Sequence, residues 1–163
     1  MAAELLTAWL NDAYALADAQ AKTIERFAED FAGHSDIRSE LRQHLAETRD
    51  QMNDLEDAIH ELGTKVTKHH STNLPDILRT VKEMSSSPYH DELVKDLQLL
   101  HAMEHYEHIM YLAVAEASRR MGEDDIADTC ERFADEAMAM AEWAEEQLPA
   151  IVTSCLSAAI KEE

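Results

Sequence analysis

Between residues 101 and 108 the chain reads His101-Ala-Met-Glu104-His105-Tyr-Glu107-His108, which sets carboxyl and imidazole groups inside an apolar helical pattern. At about 100° per residue, Glu104 points along the centre of the stripe defined by Leu93, Leu97, Leu100 and Tyr111. Glu107, His108 and His101 fall within about 60° on either side of it. An ionised carboxylate in an apolar core is strongly unfavourable unless it is paired or bound to a cation. Glu104 therefore needs a partner.

Two other segments offer one. His44 and Glu47 are one turn apart and Gln51 follows a turn later, along the border of an apolar stripe, and Glu136 lies between Phe133 and Met140, about 60° from the centre of another. Three helices thus aim carboxylate or imidazole groups at one interior, and the carboxylates of the second and third are expected to be buried together. Glutamate oxygens with one or two histidine nitrogens suit iron or manganese better than a structural zinc, which usually recruits thiolates or several imidazoles. The same residues also allow a metal-free network in which His44 or His101 donates to Glu47 or Glu104. Met84, Met103, Met110, Met121, Met138 and Met140 read as gap-filling packing residues. His69-His70 reads as crossover surface, and Cys130 and Cys155 as small buried residues or free thiols. No Ser-His-Asp arrangement, P-loop or GxGxxG turn is evident.

The elements that must position these groups are helices. Leu6, Leu10, Ala13, Ala17, Ala21, Ile24, Ala28 and Phe31 repeat at three- and four-residue spacing, which predicts a helix from about Glu4 to Phe31 with Gly33 as its stop. Ser35 or Asp36 then caps a second helix to about Leu62, ended by Gly63. From about 64 to 87 the pattern weakens around a short amphipathic piece, Leu74 to Met84. That length predicts a crossover that lets the next helix run parallel to the second. Ser-Ser-Ser-Pro at 85–88 starts a third helix, which Gly122 stops after Met121. A fourth runs from about Asp124 until Pro149 kinks or ends it before a short apolar tail.

These expectations describe one all-α domain over 1–163, a four-helix bundle with a long crossover between helices two and three. Composition agrees, because a chain of 163 residues with three glycines and three prolines has few helix breakers. The net charge of -20, from 34 acidic against 14 basic side chains, argues against nucleic acid or an anionic membrane surface as a partner. The start of the chain has no basic region ahead of an apolar run, and no stretch approaches a membrane span, so a cytoplasmic protein is expected.

Trp9-Leu-Asn-Asp-Ala-Tyr-Ala-Leu, His44-Leu-Ala-Glu-Thr-Arg-Asp-Gln51 leading to Leu55-Glu56 and Leu62-Gly63, Glu104-His-Tyr-Glu107, and Ala139-Met-Ala-Glu-Trp143 with Leu148-Pro149 resemble the YciF/YciE-type ferritin-like proteins. This bacterial and archaeal group is associated with stress responses, and the likeness covers about residues 4 to 150. The resemblance implies a ferritin-like bundle, a homodimer, and a di-iron or dimanganese centre in the core. Position by position it implies Glu47, Glu104, Glu107 and Glu136 as metal ligands, with His44 and Gln51 in or beside them. Two positions depart from the family pattern: Ala17 stands where the first helix commonly has Glu, and Ala137 where a Glu-Glu pair is common. Nor does any core helix carry the Glu-x-x-His of the usual di-metal bundle.

Three functions follow. The first is a metal-binding, oxidant-handling protein in which His44, Glu47, Glu104, Glu107 and Glu136 hold one iron or manganese ion or a weakened pair. The second is a non-catalytic stress or scaffold bundle that has lost the centre, which Ala17 favours. The third, a helical adaptor, is weaker because the exposed pattern contains no apolar docking stripe.

Overall fold

The computed structural model describes residues 1–67 and 89–162, and four helices carry nearly all of them. These are α1 (Ala2–Asp30), α2 (Ser35–Glu61), α3 (Glu92–Met121) and α4 (Asp124–Glu162). Helix α1 packs on α2 and on α3, and α4 packs on α3 and on α2, which closes a four-cornered bundle.

Polar pairs across the corners give the directions. Gln20 and then Arg26 of α1 meet Glu104 and then Asp96 of α3, and Gln51 and Asp54 of α2 meet Glu136 and Arg132 of α4, so both pairings are antiparallel. The short 31–34 connection makes α1 and α2 antiparallel as well. Helices α2 and α3 therefore run the same way, as the length of the stretch between them in the sequence predicts. The expected helical piece at Leu74–Met84 and His69-His70 lie outside the described residues, as do the serines and proline at 85–88 expected to start the third helix; the described chain is not yet helical at 89–91, and α3 begins later than expected, at Glu92 with Asp91 as its N-cap residue.

Helix ends follow the glycines in two of three cases. Gly63 and Gly122 adopt left-handed backbone, at φ 78° and 81°, which an L side chain would strain. Gly33 does not: α1 closes earlier, with Phe31 and Ala32 donating back to Phe27 and Glu29. Pro149 neither ends nor breaks α4, which continues to Glu162. Proline removes one backbone donor, but Pro149 and Glu145 are on the exposed side, where water can meet the freed carbonyl, and Ile151 beyond them is buried.

The core is two apolar clusters. Phe27, Phe31, Leu41, Leu97, Leu100 and Ile151 belong to one; Leu6, Leu10, Leu55, Ile59, Tyr111 and Phe133 belong to the other. Between them each helix contributes polar residues at the same level: Gln20 from α1, His44, Thr48 and Gln51 from α2, Glu104 and Glu107 from α3, Glu136 from α4. The exposed surface also differs from expectation. Tyr106, Ile109 and Leu112 of α3 are exposed, and Trp9, Tyr106, Ile109, Met110 and Ala113 line an apolar groove of about 340 Å³ between α1 and α3.

Candidate functional site

Glu104 is the centre of the polar layer. It is 0% exposed, and its Oε1 accepts hydrogen bonds from Gln20 Nε2 at 2.6 Å and His44 Nε2 at 2.7 Å. The expected partnership between helix two and Glu104 is therefore real, with His44 as the partner. Gln20 was missed in the sequence, although it lies three residues after Ala17 and four before Ile24, on the same inward stripe.

Glu107 is 3% exposed and stands one turn further along α3. Burial first, and then the charge on Glu104 and a hydrogen bond to it, push its carboxyl well above the usual carboxylate range, against a hydrogen bond to Gln20. For His44, burial opposes the charged ring, but the charge and hydrogen bond of Glu104, with those of Glu47, outweigh it and raise the pKa. Tyr111, one turn beyond Glu107, is pushed well above its ordinary value by burial and then by the charges of Glu107, Cys130, Glu104 and Glu136. Gln20 Oε1 and the Tyr111 hydroxyl are buried without a hydrogen-bond partner.

The remaining expected ligands are elsewhere. Glu47 is not buried with Glu104: its side chain is 48% exposed, takes a hydrogen bond from Gln43 Nε2 at 2.9 Å and stands 3.8 Å from His44 Nδ1. Thr48, its neighbour, takes the inward position. Glu136 is 37% exposed and sits at the rim, held by Gln51 Nε2 at 2.7 Å and by Arg132 Nη1 at 3.3 Å. His101 and His108 are also outside the cluster. His101 faces Glu145 of α4, and His108 Nδ1 is 2.9 Å from the Ala134 carbonyl.

A two-metal ligand set does not fit these residues. Ala17 and Ala137 are buried and apolar where two more carboxylates are needed, and Glu47 and Glu136 are committed to partners at the surface. Among the described residues no three His, Cys, Asp or Glu side chains form a ready cluster for an ion. What remains is a carboxylate held by an imidazole ring and an amide, with a second buried carboxyl beside it whose hold on its proton is strengthened.

A second buried ionic group lies one layer away. Asp96 accepts from Arg26 Nη2 at 3.2 Å, and burial, with a hydrogen bond to Asp30 and the charges of Asp30 and Glu92, pushes its pKa up to about 7 against the pull of Arg26. Asp96, Glu107 and His44 all hold a proton more tightly folded than unfolded. Stability is therefore greatest below their unfolded pKa values and falls as pH rises through the folded ones. Thermal midpoints in metal-free buffer are expected to drop between about pH 5.5 and pH 8.5. A midpoint that stayed flat or rose across that range would contradict the protonation states described. Glu107→Gln, which mimics the neutral carboxyl, is expected within about 1 kcal/mol of wild type at the acid end and above it at the alkaline end. Urea unfolding at both pH values gives the comparison.

A four-helix bundle with a long crossover and buried carboxylate and imidazole groups from several helices at mid-height defines a ferritin-like protein. The chain belongs to the family described as a domain of unknown function, DUF892, whose model matches residues 1–157. This is the YciF-type group that the sequence resembles. Similar solved structures include a protein from Xanthomonas campestris, 25% identical, covering 96% of this chain and 97% of that one with a TM-score of 0.81. YcfI from Rhodopseudomonas palustris is 22% identical, with coverage of 89% and 93% and a TM-score of 0.78. The Escherichia coli stress protein YciF is 16% identical, with coverage of 94% and 98% and a TM-score of 0.82. Among the described residues no helix is long and apolar enough to cross a membrane.

Proposed function

We propose that this chain is a stress-associated ferritin-like bundle with a degenerate centre, in which a proton-locked network of His44, Glu104, Glu107 and Gln20 replaces the two-metal site. The observation that carries the reading is the direct 2.7 Å contact between His44 Nε2 and Glu104 Oε1, which occupies the two strongest donors with each other. The stress association rests on likeness to the Escherichia coli stress protein. Iron or manganese competes with this network: an ion held by Glu104, Glu107 and His44 must displace the protons that His44 and Glu107 hold. Binding is then weak, substoichiometric, and stronger as pH rises.

Metal analysis and calorimetric titration of protein purified without an affinity tag test this. Well under one iron or manganese ion per chain is expected, with affinity for manganese increasing from about pH 6 to pH 8. A value near two ions per chain would show an intact centre and end the reading. The chain is also proposed to act as a homodimer, supported by the exposed Tyr106, Ile109 and Leu112. Sedimentation of wild type against Ile109→Glu tests this, since a monomeric wild type rules it out.

A further inference from the structure

His101 and His105 stand one turn apart on α3 and outside the Glu104 cluster. Their rings touch, with centroids 4.5 Å apart and planes at 62°. His101 lines a groove of about 350 Å³ between α3 and α4, walled by Leu97, Ala144, Glu145 and Leu148. From α4, Glu145 brings Oε2 to 3.4 Å of His101 Nε2. Nitrogen and oxygen donors about 2.0–2.2 Å from a tetrahedral zinc-type ion are about 3.4 Å from one another. His101 and Glu145 therefore already stand at the spacing of two ligands of one ion. The third donor is not in place, since no three such side chains among the described residues stand ready for an ion, and binding requires the exposed His105 ring to change rotamer against His101.

We propose that His101 and His105 of α3 with Glu145 of α4 bind a divalent late transition-metal ion of zinc type at the bundle surface, separately from the buried cluster. Two imidazoles and one carboxylate suit zinc or copper rather than the oxygen shell of magnesium or calcium, and leave a position for water. The acidic excess of the chain favours approach of any cation. His101-Ala-Met-Glu104-His105 also matches the H-x-x-E-H spacing of some zinc peptidases, where the glutamate serves as base. Here Glu104 is fully buried and bonded by His44 and Gln20, so it cannot take a proton from water on the outer face. The site binds and clamps α3 to α4; it does not hydrolyse.

This proposal is independent of the degenerate-centre reading, because its three side chains take no part in the buried network. The test is calorimetric titration of zinc chloride into untagged wild type, His101→Gln/His105→Gln and Glu145→Gln, with thermal unfolding of each with and without zinc. All three positions are at the surface, so the variants are expected to match wild type in zinc-free circular dichroism and midpoint. Wild type should bind one zinc per chain and unfold at a higher temperature with it. The double variant should bind more than about tenfold more weakly and lose the shift, and Glu145→Gln should fall between. Zinc bound with unchanged strength by the double variant, or no heat and no shift in wild type, would overturn the assignment.

Discussion

Glu104→Ala is expected to destabilise the fold by about 3–5 kcal/mol, the range for breaking a buried ion pair by removing one partner. Two hydrogen bonds end on the Glu104 Oε1 atom, one from Gln20 and one from His44. Alanine leaves the Gln20 amide without an acceptor and the His44 ring without the charge that raises its pKa. Water cannot easily repair this, because Glu104 is fully buried between two apolar layers. A double-mutant cycle with His44→Ala separates the pair from the packing loss, and the two substitutions together should cost clearly less than their sum. Urea unfolding near neutral pH gives the values. A loss below about 1 kcal/mol for Glu104→Ala would mean that the carboxylate is not buried against His44.

Ala17→Glu is expected to cost about 2–5 kcal/mol in metal-free protein, through overpacking of a filled layer and burial of a carboxyl group without a partner. Ala17 has no exposure and packs in the cluster that holds Leu10, Leu55, Tyr111 and Phe133, so the longer side chain has to displace neighbours or protonate. The nearest polar group on its own helix is Gln20, one turn along the same face of α1, which itself donates to Glu104 of α3. If a cation can be held there, the new carboxylate supplies the donor that the wild-type chain lacks, and Ala137→Glu on α4 supplies a second. Thermal unfolding with and without manganese should then show a metal-dependent gain in the variants that exceeds the wild-type gain. A variant that is destabilised and gains nothing from manganese would show that the bundle no longer contains a ligand set to complete.

The buried chemistry was legible to different depths at different residues. Glu104 stands in the middle of an apolar repeat, with Glu107 about 60° to one side, and a charged residue at the centre of such a stripe has no direction but inward. Gln20 obeys the same rule on α1 and was readable from it. Glu47 and Glu136 were harder because they lie on stripe borders, where a small rotation of the helix decides between core and solvent. In α2 that rotation favours His44, Thr48 and Gln51, and Glu47 turns out toward Gln43. His101 is a border residue too, and the neighbouring helix α4 claims it through Glu145.

By itself the sequence determined four helices, most of their ends, the parallel course of α2 and α3, and the presence of buried carboxylates on α3. All of these follow from local periodicity, left-handed glycines and connection lengths, which act within a helix or between its ends. Tertiary structure alone decided that His44 and Gln20 are the partners of Glu104, that Glu47 and Glu136 remain at the rim, and that Pro149 is carried inside a continuous α4. These outcomes depend on how far each helix turns about its own axis when four apolar stripes of unequal width close on one another, and on which surface stays open to water around a proline. Neither quantity is a property of any single stretch of chain.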